Sequence, residues 1–264
     1  MQDQTRQGGA PSPDESRERH RRGPVRLVGG VPYSDSRSTL SLLPGAPIGE
    51  WLHDHRHLVG GRLLDAGCGN RPYAVWYEPL VEQAVSLDAA VGDGVSVVGF
   101  ADHLPFKDAS FDTVLCTEVL EHVTDAERAA AEIRRVLKPG GHALVTVPFL
   151  YPVHEAPYDF RRLTHFGLRD LFERHGCEVV GLEARGGPLL LLLHSAVMAL
   201  SMALDALGTR TVRRPLTDLV PVRRAIAAPQ EALIRARRTN RAVRHGAFRA
   251  SLGYMVVVRR PTDT

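Results

Sequence analysis

Between residues 62 and 183 short apolar runs alternate with helix-like stretches, and several of the runs end in an acid or a glycine. The runs lie at 62–65, 84–88, 95–99, 111–116, 142–147 and 177–183, and one more apolar run lies at 252–259. Apolar periodicity predicts helices at 48–58, after Pro72, at 126–137 and at 163–175. Strands separated by helices cross over with a right hand, which implies a parallel sheet covered on both faces. Ligands of such sheets sit at the carboxyl ends of the strands. Asp65, Gly67, Gly69, Asp88 and Asp102 all fall at those ends. With 264 residues, 44% of them hydrophobic, the chain can build a core without disulfides. Cys68, Cys116 and Cys177 form neither a CxxC pair nor a zinc spacing, so they read as reduced thiols, and no metal ligand set is expected.

The loop Asp65-Ala66-Gly67-Cys68-Gly69 joins a predicted strand to a predicted helix. Its glycines permit a tight turn and a close ligand approach. A dinucleotide fingerprint would need glycine where Pro72 stands, and a P-loop would need Gly-Lys-Ser/Thr; neither is present. Leu63 to Gly69 resembles the first motif of class I S-adenosylmethionine-dependent methyltransferases. Ala101-Asp102-His103-Leu104-Pro105-Phe106, Ser110-Phe111-Asp112, Glu118-Val119-Leu120-Glu121-His122-Val123 and Arg134-Arg135-Val136-Leu137-Lys138-Pro139-Gly140-Gly141 follow in order. Over about residues 60–148 this set is similar to the methyltransferase type 11 group. One departure is Arg71, where that group often has a third glycine.

The resemblance implies an α/β fold: a Rossmann-like, seven-stranded, doubly wound sheet whose last strand is antiparallel. It implies S-adenosylmethionine as cofactor. Asp88 then becomes the ligand of the ribose diol, against the plainer role of a helix N-cap. Asp102 accepts from the adenine amine, with His103 and Leu104 beside it, the latter as apolar wall. Asp65, Gly67, Cys68 and Gly69 lie near the methionine portion, Asp65 orienting the amine directly or through water. Glu118 either lines the same cleft or faces solvent at a helix start. His122 reads as a packed or capping histidine.

The segment 147–164 is rich in aromatics and proline and lies where an acceptor would enter. His154 is the candidate general base because an imidazole titrates near neutrality. Tyr158, Asp159 and Arg161 are alternatives to it or orient it, Asp159 being counted with His154 as catalytic, and the plainer reading is that His154 only hydrogen-bonds Asp159 and fixes the loop. Tyr151, Tyr158 and Arg161 are candidate substrate contacts.

Residues 1–24 read as a disordered arm without the apolar core of a signal peptide, and 25–264 as the methyltransferase domain. Inside it, 185–250 is a helical insertion between the sixth and seventh strands. Its first part, 188–207, is apolar; 209–250 carries eleven arginines against Asp218 and Glu231, although the whole chain is only +3. Three roles stay open. The insertion is a lid that buries its apolar side on the sheet, an interfacial segment whose arginines meet anionic headgroups, or a nucleic-acid contact. The last is the weakest, because no aromatic platform is interleaved with the arginines. The function expected is methyl transfer to a small-molecule or lipid-linked acceptor at oxygen, in the cytoplasm and peripheral to the inner face of the membrane. The alternatives are nitrogen or carbon methylation of a metabolite or RNA, and a non-catalytic, membrane-associated cofactor-binding protein.

Overall fold

The computed structural model describes residues 25–34, 45–211 and 250–262, together with 221–222, 225–226 and 229–230. The expected disordered arm and nearly all of the arginine-rich stretch lie outside the described residues. A hairpin, β1 (Val25–Val28) and β2 (Val31–Ser34), precedes helix α1 (Gly45–Asp54). Then come β3 (Arg62–Ala66), the short α2 (Ala74–Tyr77), β4 (Gln83–Asp88), β5 (Val97–Val98) and β6 (Phe111–Thr117). The chain continues through α3 (Ala126–Val136), β7 (Leu137–Pro148), α4 (His165–Arg174), β8 (Glu178–Ala184), α5 (Pro188–Thr211) and β9 (Gly253–Arg259).

The main sheet has seven strands in the order β5-β4-β3-β6-β7-β9-β8. Strand β9 is antiparallel to both neighbours, and the other recorded pairings are parallel. Adjacent residues of the central strands go to opposite faces. Leu64, Val114, Val145 and Val256 join the core under α3 and α4. Leu63, Leu115, Leu144 and Val257 join the core under α1 and α2. Burial on both faces is why these strands read as continuous apolar runs. Helix α3 starts where the Asp125 side chain accepts from the Arg128 amide, and it buries Ala129, Ala130, Ile133 and Val136.

Some boundaries differ from the sequence expectation. Pro139-Gly140-Gly141 was expected to stand between helix and strand, yet it lies inside β7. Leu137 pairs with Phe111 and the ladder resumes at His142 opposite Thr113, so the segment is absorbed as a register irregularity. Strand β5, at the sheet edge, is only two residues long, and its Val98 stands half exposed. The β1–β2 hairpin was not expected: Val31 is held by contacts with Ala46, Leu190 and Leu252, distant in sequence.

The long insertion enters and leaves the sheet at one point. The Arg185 amide donates to the Gly253 carbonyl (2.8 Å), and the Leu252 amide returns a bond to the Arg185 carbonyl (3.1 Å). The Ser251 hydroxyl stands 3.0 Å from the same Arg185 carbonyl. Helix α5 turns Leu190, His194 and Ser201 inward, while Leu189, Leu192, Leu200, Met202 and Leu207 are exposed. That differs from a lid that buries its apolar side. The helix is apolar almost all round, so one face must remain outside whichever face packs. Its stretch Pro188–Gly208 is long and apolar enough to cross a membrane, by length and composition.

Candidate active site

The carboxyl ends of β3, β4 and β6 open onto a cavity of about 380 Å³. The turn after β3 is stitched to β4: the Gly67 and Cys68 amides both donate to the Leu87 carbonyl, at 2.8 and 2.9 Å. Gly67 has φ +71°, and a Cβ there would stand 2.4 Å from a Val119 methyl. Any side chain would therefore push this turn off the segment after β6. Gly69 (φ +53°) has nothing within 4 Å of where its Cβ would be, which leaves room for a ligand. Arg71, which departs from the family pattern, also has a positive φ, +54°. A glycine would adopt that backbone without strain.

Asp88 ends β4 and lines the cavity. Its Oδ2 accepts from the Gly69 amide (2.8 Å) and its Oδ1 from the Ala90 amide (2.9 Å). No helix starts at Asp88, so it is not a helix cap. Each carboxylate oxygen keeps acceptor capacity toward the cavity. On another wall lies Asp102, paired with His103 Nδ1 (3.1 Å) and accepting from the Thr124 hydroxyl (3.3 Å). Gly67, Cys68, Gly69, His103 and Glu118 line the same cavity.

Two of the expected cofactor residues stand back from the wall. Asp65 is buried beneath the turn and accepts from the Tyr77 hydroxyl at 3.0 Å; burial raises its pKa to about 7. Leu104 is buried in the core, and its amide donates to Glu132.

Glu118 adopts φ +56° just after β6. Its Oε1 accepts from the Thr146 hydroxyl (2.9 Å), and its Oε2 meets the Arg185 guanidinium at 2.6 Å. It is thus a largely buried ion-pair member on the cavity wall, not a solvent-facing acid. Arg185 is 1% exposed, and its guanidinium also lies over the Tyr151 ring.

The opposite end of the cavity is formed by His122, Glu155, Tyr158 and Phe160. His122 Nδ1 is 2.9 Å from the Tyr158 carbonyl. His154 stands edge-on behind His122, with ring centroids 4.8 Å apart. Its amide donates to Asp159 (3.0 Å), and its Nδ1 is 3.3 Å from the same carboxylate. Burial and the neighbouring His122 lower the His154 pKa, so the ring is neutral near pH 7. Asp159 is gripped by both terminal nitrogens of Arg162, which hold its pKa down at about 2.

Tyr151 stacks on His194 of α5, with centroids 5.1 Å apart, and does not lie on the cavity wall. The Arg161 guanidinium donates to the carbonyls of Leu120, Val123 and Thr124, which fixes the turn between β6 and α3. Sequence reasoning missed Phe100, Thr124 and Phe160 as wall residues and left Glu121 without a role. The strand-end rule could have found Phe100; the others depend on how the loops fold back.

Sheet order and strand-end cavity together define a Rossmann-like α/β domain with a ligand-sized cavity at its strand ends. Residues 64–145 match the family model described as "Methyltransferase domain". A protein of Mycolicibacterium smegmatis named "Probable S-adenosylmethionine-dependent methyltransferase/" is 31% identical over 178 residues, which are 58% of this chain and 68% of that protein. The chain belongs to the S-adenosylmethionine-dependent methyltransferases, on the class I fold. The uncharacterized methyltransferase YcgJ of Bacillus subtilis is 34% identical over 113 residues, 37% of this chain and 42% of that protein. A ubiquinone biosynthesis O-methyltransferase of Paraburkholderia phymatum is 27% identical over 135 residues, 43% of this chain and 58% of that protein. The chain thus spans about half the length of these two relatives. Among solved structures, the [4+2]-cyclase SpnF superposes with a TM-score of 0.53 at 20% identity, over 91% of this chain and 89% of that one. That likeness shows the fold alone.

Proposed function

We propose that this chain transfers the methyl group of S-adenosylmethionine to an oxygen of a small or lipid-linked acceptor. The observation that carries the reading is the cavity itself. It has carboxylates of Asp88 and Asp102 on its walls, the open side of Gly69 between strands, and polar groups at its far end. When bound, the cofactor supplies a methyl group activated on a sulfonium. Asp88 accepts from the ribose hydroxyls, Asp102 from the adenine amine, and the Gly67–Gly69 backbone faces the methionine portion. Protein catalysis of such a transfer is mainly alignment, with removal of a proton from an oxygen acceptor. Tyr158 and Phe160 flank the acceptor. The Glu121, His122 and His154 cluster, with Asp159 orienting His154, handles the departing proton, and this favours oxygen over carbon.

The test is incubation of the full chain with methyl-labelled donor and a lipid extract of the native host. Release of S-adenosylhomocysteine with label in an extractable product is expected. Tight donor binding without release above background would instead leave a non-catalytic cofactor-binding protein.

Asp65 makes this binding dependent on pH. Its folded pKa, about 7, is raised above the ordinary carboxylate value by burial, so the folded state holds a proton that the unfolded state has lost between about pH 4 and 7. Stability contributed by the neutral acid is therefore lost as pH rises through 7. The ionised form attracts the cofactor's cationic amine, so affinity changes in the opposite sense. S-adenosylhomocysteine affinity measured by calorimetry should rise roughly tenfold from pH 6 to pH 8. Asp65→Asn should flatten that dependence.

A lipid-linked acceptor agrees with α5, whose exposed leucines and Met202 lead directly into the arginine-rich sequence. Apolar side chains entering the interface and arginines meeting anionic headgroups form a two-part anchor at the cytoplasmic face. The full chain should float with vesicles containing phosphatidylglycerol and stay behind with phosphatidylcholine alone. Leu192→Glu combined with Met202→Glu should abolish flotation. A wild-type chain that stays in the pellet with both vesicles overturns the anchor.

A further inference from the structure

Behind the cavity wall that His122 and Glu155 form, donor atoms gather in a pattern that proton transfer alone does not require. Oε1 of Glu121, whose side chain is 1% exposed, stands 3.6 Å from His122 Nε2 and 3.9 Å from His154 Nε2. One donor atom from each of the three residues lies within 4.8 Å of the other two. Both imidazoles are backed on the opposite side. His122 Nδ1 faces the Tyr158 carbonyl at 2.9 Å, and His154 Nδ1 faces Asp159 and the Pro152 carbonyl, each at 3.3 Å. A ring nitrogen facing a carbonyl or carboxylate carries the proton, so these partners assign the Nδ1–H tautomer. The two Nε2 lone pairs then point with the Glu121 carboxylate toward one small volume. Three electron-rich groups converge there, and a positive charge between them would turn repulsion into binding.

We propose that Glu121, His122 and His154 bind one divalent cation of the zinc class, with the remaining coordination position open toward the cavity. Two histidines and a carboxylate are a known catalytic zinc set, and imidazole donors select such ions over magnesium or calcium. Ligands about 2.0–2.1 Å from a tetrahedral ion stand roughly 3.4 Å from one another. The two distances to Glu121, 3.6 and 3.9 Å, are near that, and the two Nε2 atoms, within 4.8 Å of each other, draw together when the ion binds. Carbonyl and carboxylate backing of Nδ1 is the usual outer sphere of a metal-bound histidine, and Arg162 anchors the Asp159 part of it. Glu155 Oε2, 3.9 Å from His122 Nε2 on the cavity wall, is placed to occupy the open position until an acceptor oxygen replaces it. The cation thus deepens the methyl-transfer reading, on which its role toward an acceptor rests. Its binding can be measured without turnover.

The full chain is stripped with a chelator and titrated with Zn²⁺ against a chromophoric competitor, and separately with Co²⁺ while visible absorption is recorded. One tight equivalent and a Co²⁺ spectrum of low coordination number are expected. His122→Asn and His154→Asn should each weaken that site beyond the roughly 10–100-fold cost of losing an outer-sphere partner. Both variants should keep the wild-type circular dichroism. Absence of a stoichiometric cation, or a site unchanged in both variants, overturns the proposal. If the stripped wild type binds S-adenosylhomocysteine but no cation, only the metal site fails. If it binds the cation but no S-adenosylhomocysteine, the methyl-transfer reading fails instead.

Discussion

Glu118→Ala should lower the stability of the folded chain by about 3–5 kcal/mol, the usual cost of leaving one partner of a buried ion pair alone. Arg185 is 1% exposed and meets Glu118 at 2.6 Å, while its other terminal nitrogen donates to the Leu252 carbonyl at 3.2 Å. Without the carboxylate, a guanidinium remains in the interior with one carbonyl as its nearest compensation. For a chain of this size the melting temperature should fall by about 10 °C. Pairing Glu118→Ala with Arg185→Met should recover much of the loss, because the buried charge is removed along with its partner. Thermal melts of wild type, both single variants and the double variant close the cycle. Equal melting temperatures for wild type and Glu118→Ala would show that the pair contributes nothing.

Asp88→Ala should weaken S-adenosylhomocysteine binding roughly 100-fold, with little change in folding. Hydrogen bonds to a charged acceptor are each worth about 1.5–3 kcal/mol, and about 2.8 kcal/mol accounts for that factor. The proposed ribose contact and the bond to the Gly69 amide disappear together, so the glycine turn also loses a tether. Asp88→Asn should rescue poorly. Each carboxylate oxygen faces a backbone N–H, from Gly69 and from Ala90, so an amide must turn its NH₂ toward one of them. Calorimetry on both variants tests this; wild-type affinity in Asp88→Ala would remove the residue from the cofactor site.

The sheet was legible because its central strands are buried on both faces and appear in the sequence as short unbroken apolar runs. Asp88 and Asp102 were legible for a related reason. A strand end in a parallel sheet is a fixed location, so an acid there can be placed before anything else is known. Leu104 was misplaced as a wall because a local motif does not tell which way a loop residue turns; its amide is drawn to Glu132 on α3 and its side chain goes into the core. Arg161, a candidate substrate contact in the sequence, holds three carbonyls, a role set by how the acceptor loop folds back over the turn before α3. Glu121, His122 and His154 come from two segments that only tertiary packing joins, so neither spacing nor composition marked them as a group. Helix α5 is apolar on nearly every side over Pro188–Gly208, interrupted by His194, Ser195, Ser201 and Asp205, and such a helix carries little periodic sign of which face will pack.

Where the insertion leaves and rejoins the sheet, Arg185 and Ser251 touch although they are 66 positions apart. Seen from β8 and β9, this crossing is a tight hairpin turn, and the material hung on it does not set their register. Such a geometry lets the appended segment be lengthened, trimmed or exchanged during descent while the cofactor half of the molecule stays unaltered. Relatives with the same sheet can therefore differ most in what they carry at this one knot.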